Sequence, residues 1–153
     1  MKMRKGFTLV ELLIVIVIIG ILAAAMLLST GSATASAQAA TIISDMRSLK
    51  SACLLLYADS MDDANLVSTI ATDKIKVLHK YIDNPDKFKT DGDPAGLEVG
   101  VDGKWWISYK SPVDAQVQEK LEAKAGSTGL YGTATVGGAA YKKGDAKLYM
   151  VAR

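Results

Sequence analysis

Leu12 to Leu28 is a run of 17 residues without a charge or a strong hydrogen-bonding side chain. As a helix it spans about 26 Å, close to the hydrocarbon thickness of a bilayer once Leu9 and Val10 are added. A chain that carries such a run is membrane-inserted at some stage. Lys2, Arg4 and Lys5 precede it, and no basic cluster follows until well downstream. The positive-inside tendency therefore keeps the amino end in the cytoplasm and exports the remainder.

Before Gly31 the charges are Lys2, Arg4, Lys5 and Glu11, which leaves 15 basic and 15 acidic residues beyond it. A neutral outer portion without a basic stripe gives no electrostatic case for nucleic acid. Cys53 is the single cysteine, so no intrachain disulfide forms in an exported domain, and its place in an apolar stripe favours a buried, inert thiol.

Glu11 stands at the edge of the apolar run. A carboxylate inside a membrane helix costs about 3 kcal/mol on insertion scales, which makes it a functional candidate. At the headgroup level it would be wet and would sit favourably at the positive end of the helix dipole. Its neighbours suggest more. Gly6, Phe7 and Glu11, with Thr8, Leu9, Val10 and Leu12, form a stretch that resembles the processing site of type IV prepilins and of the related pseudopilins of type II secretion. The short basic leader MKMRKG fits as well.

The resemblance implies a division into a leader (1–6), a transmembrane and filament-core half-helix (7–30) and a globular domain (31–153). It implies cleavage after Gly6 by a prepilin peptidase, methylation of the new Phe7 amine, and assembly with copies of the same chain at an inner-membrane platform. Phe7 and Glu11 are then the docking residues: the carboxylate of one subunit pairs with the Phe7 amine of a neighbour, which offsets the cost of holding either charge in hydrocarbon. The expected place is the inner membrane as a single-pass precursor, then an extracellular or periplasmic filament. A type IV pilus is the first reading, a type II secretion pseudopilus the second, and a non-polymerising membrane-anchored module the third. A conventional signal peptide ending near Ala35-Ser36-Ala37 is a further alternative, but the apolar stretch exceeds the usual 7–15 residues and contains a charge.

Two features depart from many members of that family. Position 28 is Leu rather than a kinking proline, leaving Gly20 and Gly31 as the weak points of the helix. Paired cysteines near the C-terminal end are missing.

The expected fold is α+β: a long N-terminal helix, a small antiparallel sheet and one or two short extra helices. Ala39, Ile42, Met46, Leu49, Cys53 and Leu56 recur at steps of three and four, one stripe of a helix reaching from Phe7 to about Ala58. Asp73 to Ile82 reads as a short helix with His79 on its surface. LEVGVDGKWWISY reads as a hairpin turning at Asp102-Gly103, with Trp105 and Trp106 on opposite faces, one in the core and the other nearer the surface. Ser111-Pro112 is the expected start of a further helix with Val113, Val117 and Leu121 inward and Gly126 at its end. The segment from Gly129 onward suggests two or three strands, of which KLYMVAR pairs into the sheet.

Little in the sequence suggests catalysis: no nucleophile has a recognisable base, and no phosphate loop is present, so an enzyme is not expected. No cofactor is expected either. Asp83, Asp86, Asp91 and Asp93 form the one weak calcium candidate, diluted by Lys87 and Lys89.

Overall fold

The structure, a computed structural model, describes residues 6–60, 63–89, 93–100, 103–135 and 137–153. The chain divides into two compact units, Met1–Thr34 and Ala35–Arg153. Helix α1 (Leu9–Asp59) begins in the first and ends in the second.

In the first unit, every described side chain of α1 from Leu9 to Leu27 is exposed. Its mean hydropathy peaks at 3.1, and among the described residues it is the one helix long and apolar enough to cross a membrane. The helix continues through Gly20 and Gly31. Neither glycine breaks it, consistent with a cost of about 1 kcal/mol each against Ala in a helix of this length.

In the second unit, α1 turns amphipathic. Ala39, Ile42, Met46, Leu49, Cys53 and Leu56 are all buried, as their spacing predicts, and Ala35, Ile43 and Ala52 widen the stripe. They pack on a three-stranded antiparallel sheet of β1 (Ala95–Val99), β2 (Trp105–Lys110) and β3 (Lys147–Val151), with β2 central. The α+β architecture expected from the resemblance is the one observed.

The hairpin closes at Gly103, whose φ of +73° suits glycine and whose N–H donates to the Gly100 carbonyl at 3.0 Å. Asp102 lies outside the described residues. Leu97 pairs with Ile107, and Ile107 with Met150, so one face carries a continuous apolar row toward α1. Tyr57 of α1 meets Trp105 edge-to-face at 6.1 Å between ring centres.

The other sheet face differs from expectation. Trp106 is as buried as Trp105, because Tyr131 folds over it edge-to-face at 5.7 Å. Tyr131 is held there by reciprocal backbone bonds with Tyr149, each 2.8 Å. The segment after Gly129 thus gives isolated bridges and one strand, β3, rather than two or three.

Three helical expectations are corrected. Helix α2 (Asp63–Asp73) precedes the expected short helix, anchored by Leu66 and Ile70, and the expected one is a 3-10 helix over Lys74–Tyr81. Helix α3 (Ala115–Thr128) is capped by Asp114, which accepts from the Gln116 N–H at 2.8 Å, while Ser111 instead shares a 2.7 Å hydrogen bond with the Tyr141 hydroxyl. Val113 precedes that helix and is 99% exposed. Gly126 lies inside α3, and the stop is Gly129, whose left-handed φ of +69° lets the backbone N–H groups of Gly129 and Leu130 reach the Ala125 carbonyl.

Candidate functional site

Thr8 begins α1 as its N-cap. Its carbonyl accepts from the Leu12 N–H at 3.2 Å, and its hydroxyl oxygen accepts from the Glu11 N–H at 3.3 Å. The Glu11 side chain reaches back: Oε2 accepts from the Thr8 N–H at 2.8 Å and from the Thr8 hydroxyl at 2.7 Å. This is a reciprocal capping box, in which two backbone donors of the first turn that have no helical partner are satisfied by side chains. The negative carboxylate also sits where the helix dipole is positive.

Immediately before this turn, Phe7 is 87% exposed, and Gly6 is exposed with no other atom within 4 Å of where a Cβ would be. Nothing among the described residues screens the Gly6–Phe7 bond. Lys2, Arg4 and Lys5 of the leader lie outside the described residues. Gly6 and Phe7 therefore directly precede the first turn of an apolar helix, the turn that carries Glu11. Thr8 fits the motif, but its capping role was not read from the sequence. Its signal was present in the order Thr8-Leu9-Val10-Glu11, a hydroxyl residue three places before a glutamate at the head of an apolar run.

The aspartates around residue 90 do not assemble a site. Asp83 is exposed, Asp86 pairs with Lys89 at 3.1 Å, Asp93 pairs with Lys110 at 3.7 Å, and Asp91 lies outside the described residues. Among the described residues no group of three or more His, Cys, Asp or Glu side chains converges as a metal centre.

His79 is not a plain surface residue. It is half-buried, and its Nε2–H donates to the Phe88 carbonyl at 2.9 Å, tying the 3-10 helix over Lys74–Tyr81 to a second one over Pro85–Phe88. Cys53, well beyond the apolar stretch of α1, is buried among core side chains, and that burial pushes its thiol up to about 12. At neutral pH it stays a thiol and a poor nucleophile.

A long helix exposing a bilayer-length apolar stretch, together with a helix-on-sheet domain, is a pilin-like α+β architecture. Residues 1–27 match the family described as the prokaryotic N-terminal methylation motif. The chain thus carries the signature of type IV pilins and pseudopilins. Motif and apolar helix together fit an inner-membrane-anchored precursor processed by a prepilin peptidase. Neither the curated proteins nor the solved structures contain a match to the chain.

Proposed function

We propose that this chain is a structural, non-enzymatic subunit of a type IV pilus-like filament. It waits in the inner membrane, is cleaved after Gly6, is methylated at Phe7 and polymerises through the apolar half of α1. The observation that carries the reading is Glu11 at the head of that apolar stretch, in register with the methylation motif.

From Leu9 to Leu27 the apolar side chains are exposed, left uncovered by the described residues of the folded domain. Lipid covers them in the precursor, and copies of the same helix cover them in a filament. Packing of that kind is slippery along the axis, because apolar contacts carry little registry. A carboxylate that must find a cation selects one stagger. Cleavage supplies that cation as the Phe7 amine, one residue before the cap that holds Glu11.

The test is imaging of cells that express the chain. Long surface fibres that vanish on deletion, and on Glu11→Ala with membrane levels of the precursor unchanged, support the proposal. Fibres that persist undiminished in Glu11→Ala would overturn it.

A further inference from the structure

Beyond Ala35 the outer side of α1 separates two grooves of unlike charge. Ser44, Ser48 and Ser51 form its exposed ridge, and the Ser48 and Ser51 hydroxyls fold back on the carbonyls of Ser44 and Arg47 at 3.0 and 3.1 Å. Little projects from that ridge. At 3.6 residues per turn, Arg47 and Lys50 fall on one flank of it and Asp45 on the other.

The first flank is basic. A groove of about 300 Å³ between α1 and α3 is lined by Ser44, Arg47, Lys124 and Thr128. Arg47 and Thr128 also line an adjoining groove of about 280 Å³, where Lys50 joins them. Arg47 and Lys124 are exposed, Lys50 is half-buried, and none of the three pairs with a carboxylate among the described residues. Like charges gathered without a counter-charge repel, and the arrangement is relieved when an anionic surface covers it.

The opposite flank offers such a surface. A groove of about 450 Å³ is lined there by Asp45, Asp83, Asn84 and Lys87. Asp45 is already held by Lys87 at 2.6 Å and by the Tyr109 hydroxyl at 3.2 Å. Asp83 is exposed and has no cationic partner among the described residues. Nearby Asp86 forms a solvent-exposed pair with Lys89 at 3.1 Å, which rearranges at small cost, while Asp59 accepts from the Tyr81 hydroxyl at 2.8 Å and pairs with exposed Lys80 at 3.5 Å.

We propose that the basic groove of Arg47, Lys50 and Lys124 receives the Asp83 flank of a second copy of this chain. The two patches lie on opposite sides of one helix, so the contact is head-to-tail: each copy that docks leaves a free basic groove at one end and a free acidic flank at the other. Such a contact propagates instead of closing as a two-fold dimer. This deepens the filament reading and rests on it, by adding a lateral contact in the outer domain to the docking of the apolar helices.

The experiment uses the full-length chain in cells and leaves the charges intact. Thr128→Cys marks the basic groove and Asn84→Cys marks the acidic flank. A short bis-maleimide is added to filaments and, separately, to membranes. Cys53 is 1% exposed and does not compete, so the unsubstituted chain serves as the blank. The double variant is expected to give a ladder of dimers, trimers and higher species, and each single variant only monomer. Dimers from a single variant at the yield of the double would mean a two-fold contact and would overturn the proposal. Filaments without a ladder would overturn it while leaving the filament reading in place. A ladder in membranes from cells that make no filaments would keep the contact and remove the filament reading. Neither filaments nor ladder would remove both.

Discussion

Thr8 and Glu11 hold each other at the head of α1: the Thr8 hydroxyl and N–H both donate to Glu11 Oε2, at 2.7 and 2.8 Å. The same carboxylate that the filament reading assigns to a neighbour's amine is thus already occupied inside its own chain. Docking must either trade these bonds or add to them, since a carboxylate offers about four lone-pair sites. The cap keeps the side chain folded along the helix end and pointed toward Phe7, rather than free in the headgroup region.

That relationship separates capping from docking. Thr8→Ala removes the hydroxyl half of the cap and costs about 1 kcal/mol of helix stability at that end, but leaves the charge. Glu11→Gln keeps an oxygen that can accept the Thr8 bonds, but removes the charge. If docking depends on charge, Glu11→Gln abolishes filaments while Thr8→Ala lowers their yield by a few-fold. Quantitative electron microscopy of sheared surface material reads both. Filaments kept in Glu11→Gln but lost in Thr8→Ala would mean that the cap alone matters.

The two glycines at the end of α3 predict substitutions of opposite sign. Gly126 is inside the helix with open space where a Cβ would go, so Gly126→Ala stabilises by about 0.5–1 kcal/mol. Gly129 holds φ at +69°, where a side chain is strained, so Gly129→Ala destabilises by about 1–2 kcal/mol. Thermal melting of the full chain in detergent micelles should show Tm rising for the first and falling for the second.

These glycines also show where sequence reading ends. The stripe from Ala39 to Leu56 was legible because burial against one sheet enforces a strict three-and-four spacing. So was the hairpin, because a positive-φ glycine between β-forming runs leaves few alternatives. The stop of α3 was assigned to Gly126, three residues early: composition marks a glycine, but only backbone conformation distinguishes one tolerated within a helix from one required at its end. The burial of both tryptophans escapes the sequence for a different reason. Alternation along a strand tells which side chains share a face, but not whether a distant segment, here Tyr131, folds over the second face. Helix α2 was missed although Leu66 and Ile70 lie four apart, because two anchors in a polar stretch are a weak period. At the N-terminal site the motif marks Gly6, Phe7 and Glu11, and the Thr8-to-Glu11 spacing carried the signal of a cap that the hydrogen bonds make explicit.

Tyr109 gives a dependence on pH. Its burial, and next the negative charge of Asp45 at 3.2 Å, push its hydroxyl up to about 12, from an ordinary value near 10. The folded state therefore keeps the proton that the unfolded chain loses first. This contribution to stability is intact below about pH 10 and declines as pH rises toward about 12. Tyr109→Phe should make the alkaline fall of Tm shallower, and should leave its slope between pH 6 and 8 unchanged. An equally steep alkaline fall in Tyr109→Phe would show that this hydroxyl is not the group responsible.

The most direct test of the account is mass spectrometry of the N-terminal peptide from purified, polymerised material. The account predicts a peptide that begins at Phe7, carries one added methyl group on its amine, and retains an unmodified Glu11. Polymer whose subunits still begin with the Met1–Gly6 leader would contradict it, because no amine would then stand at Phe7 for Glu11 to meet.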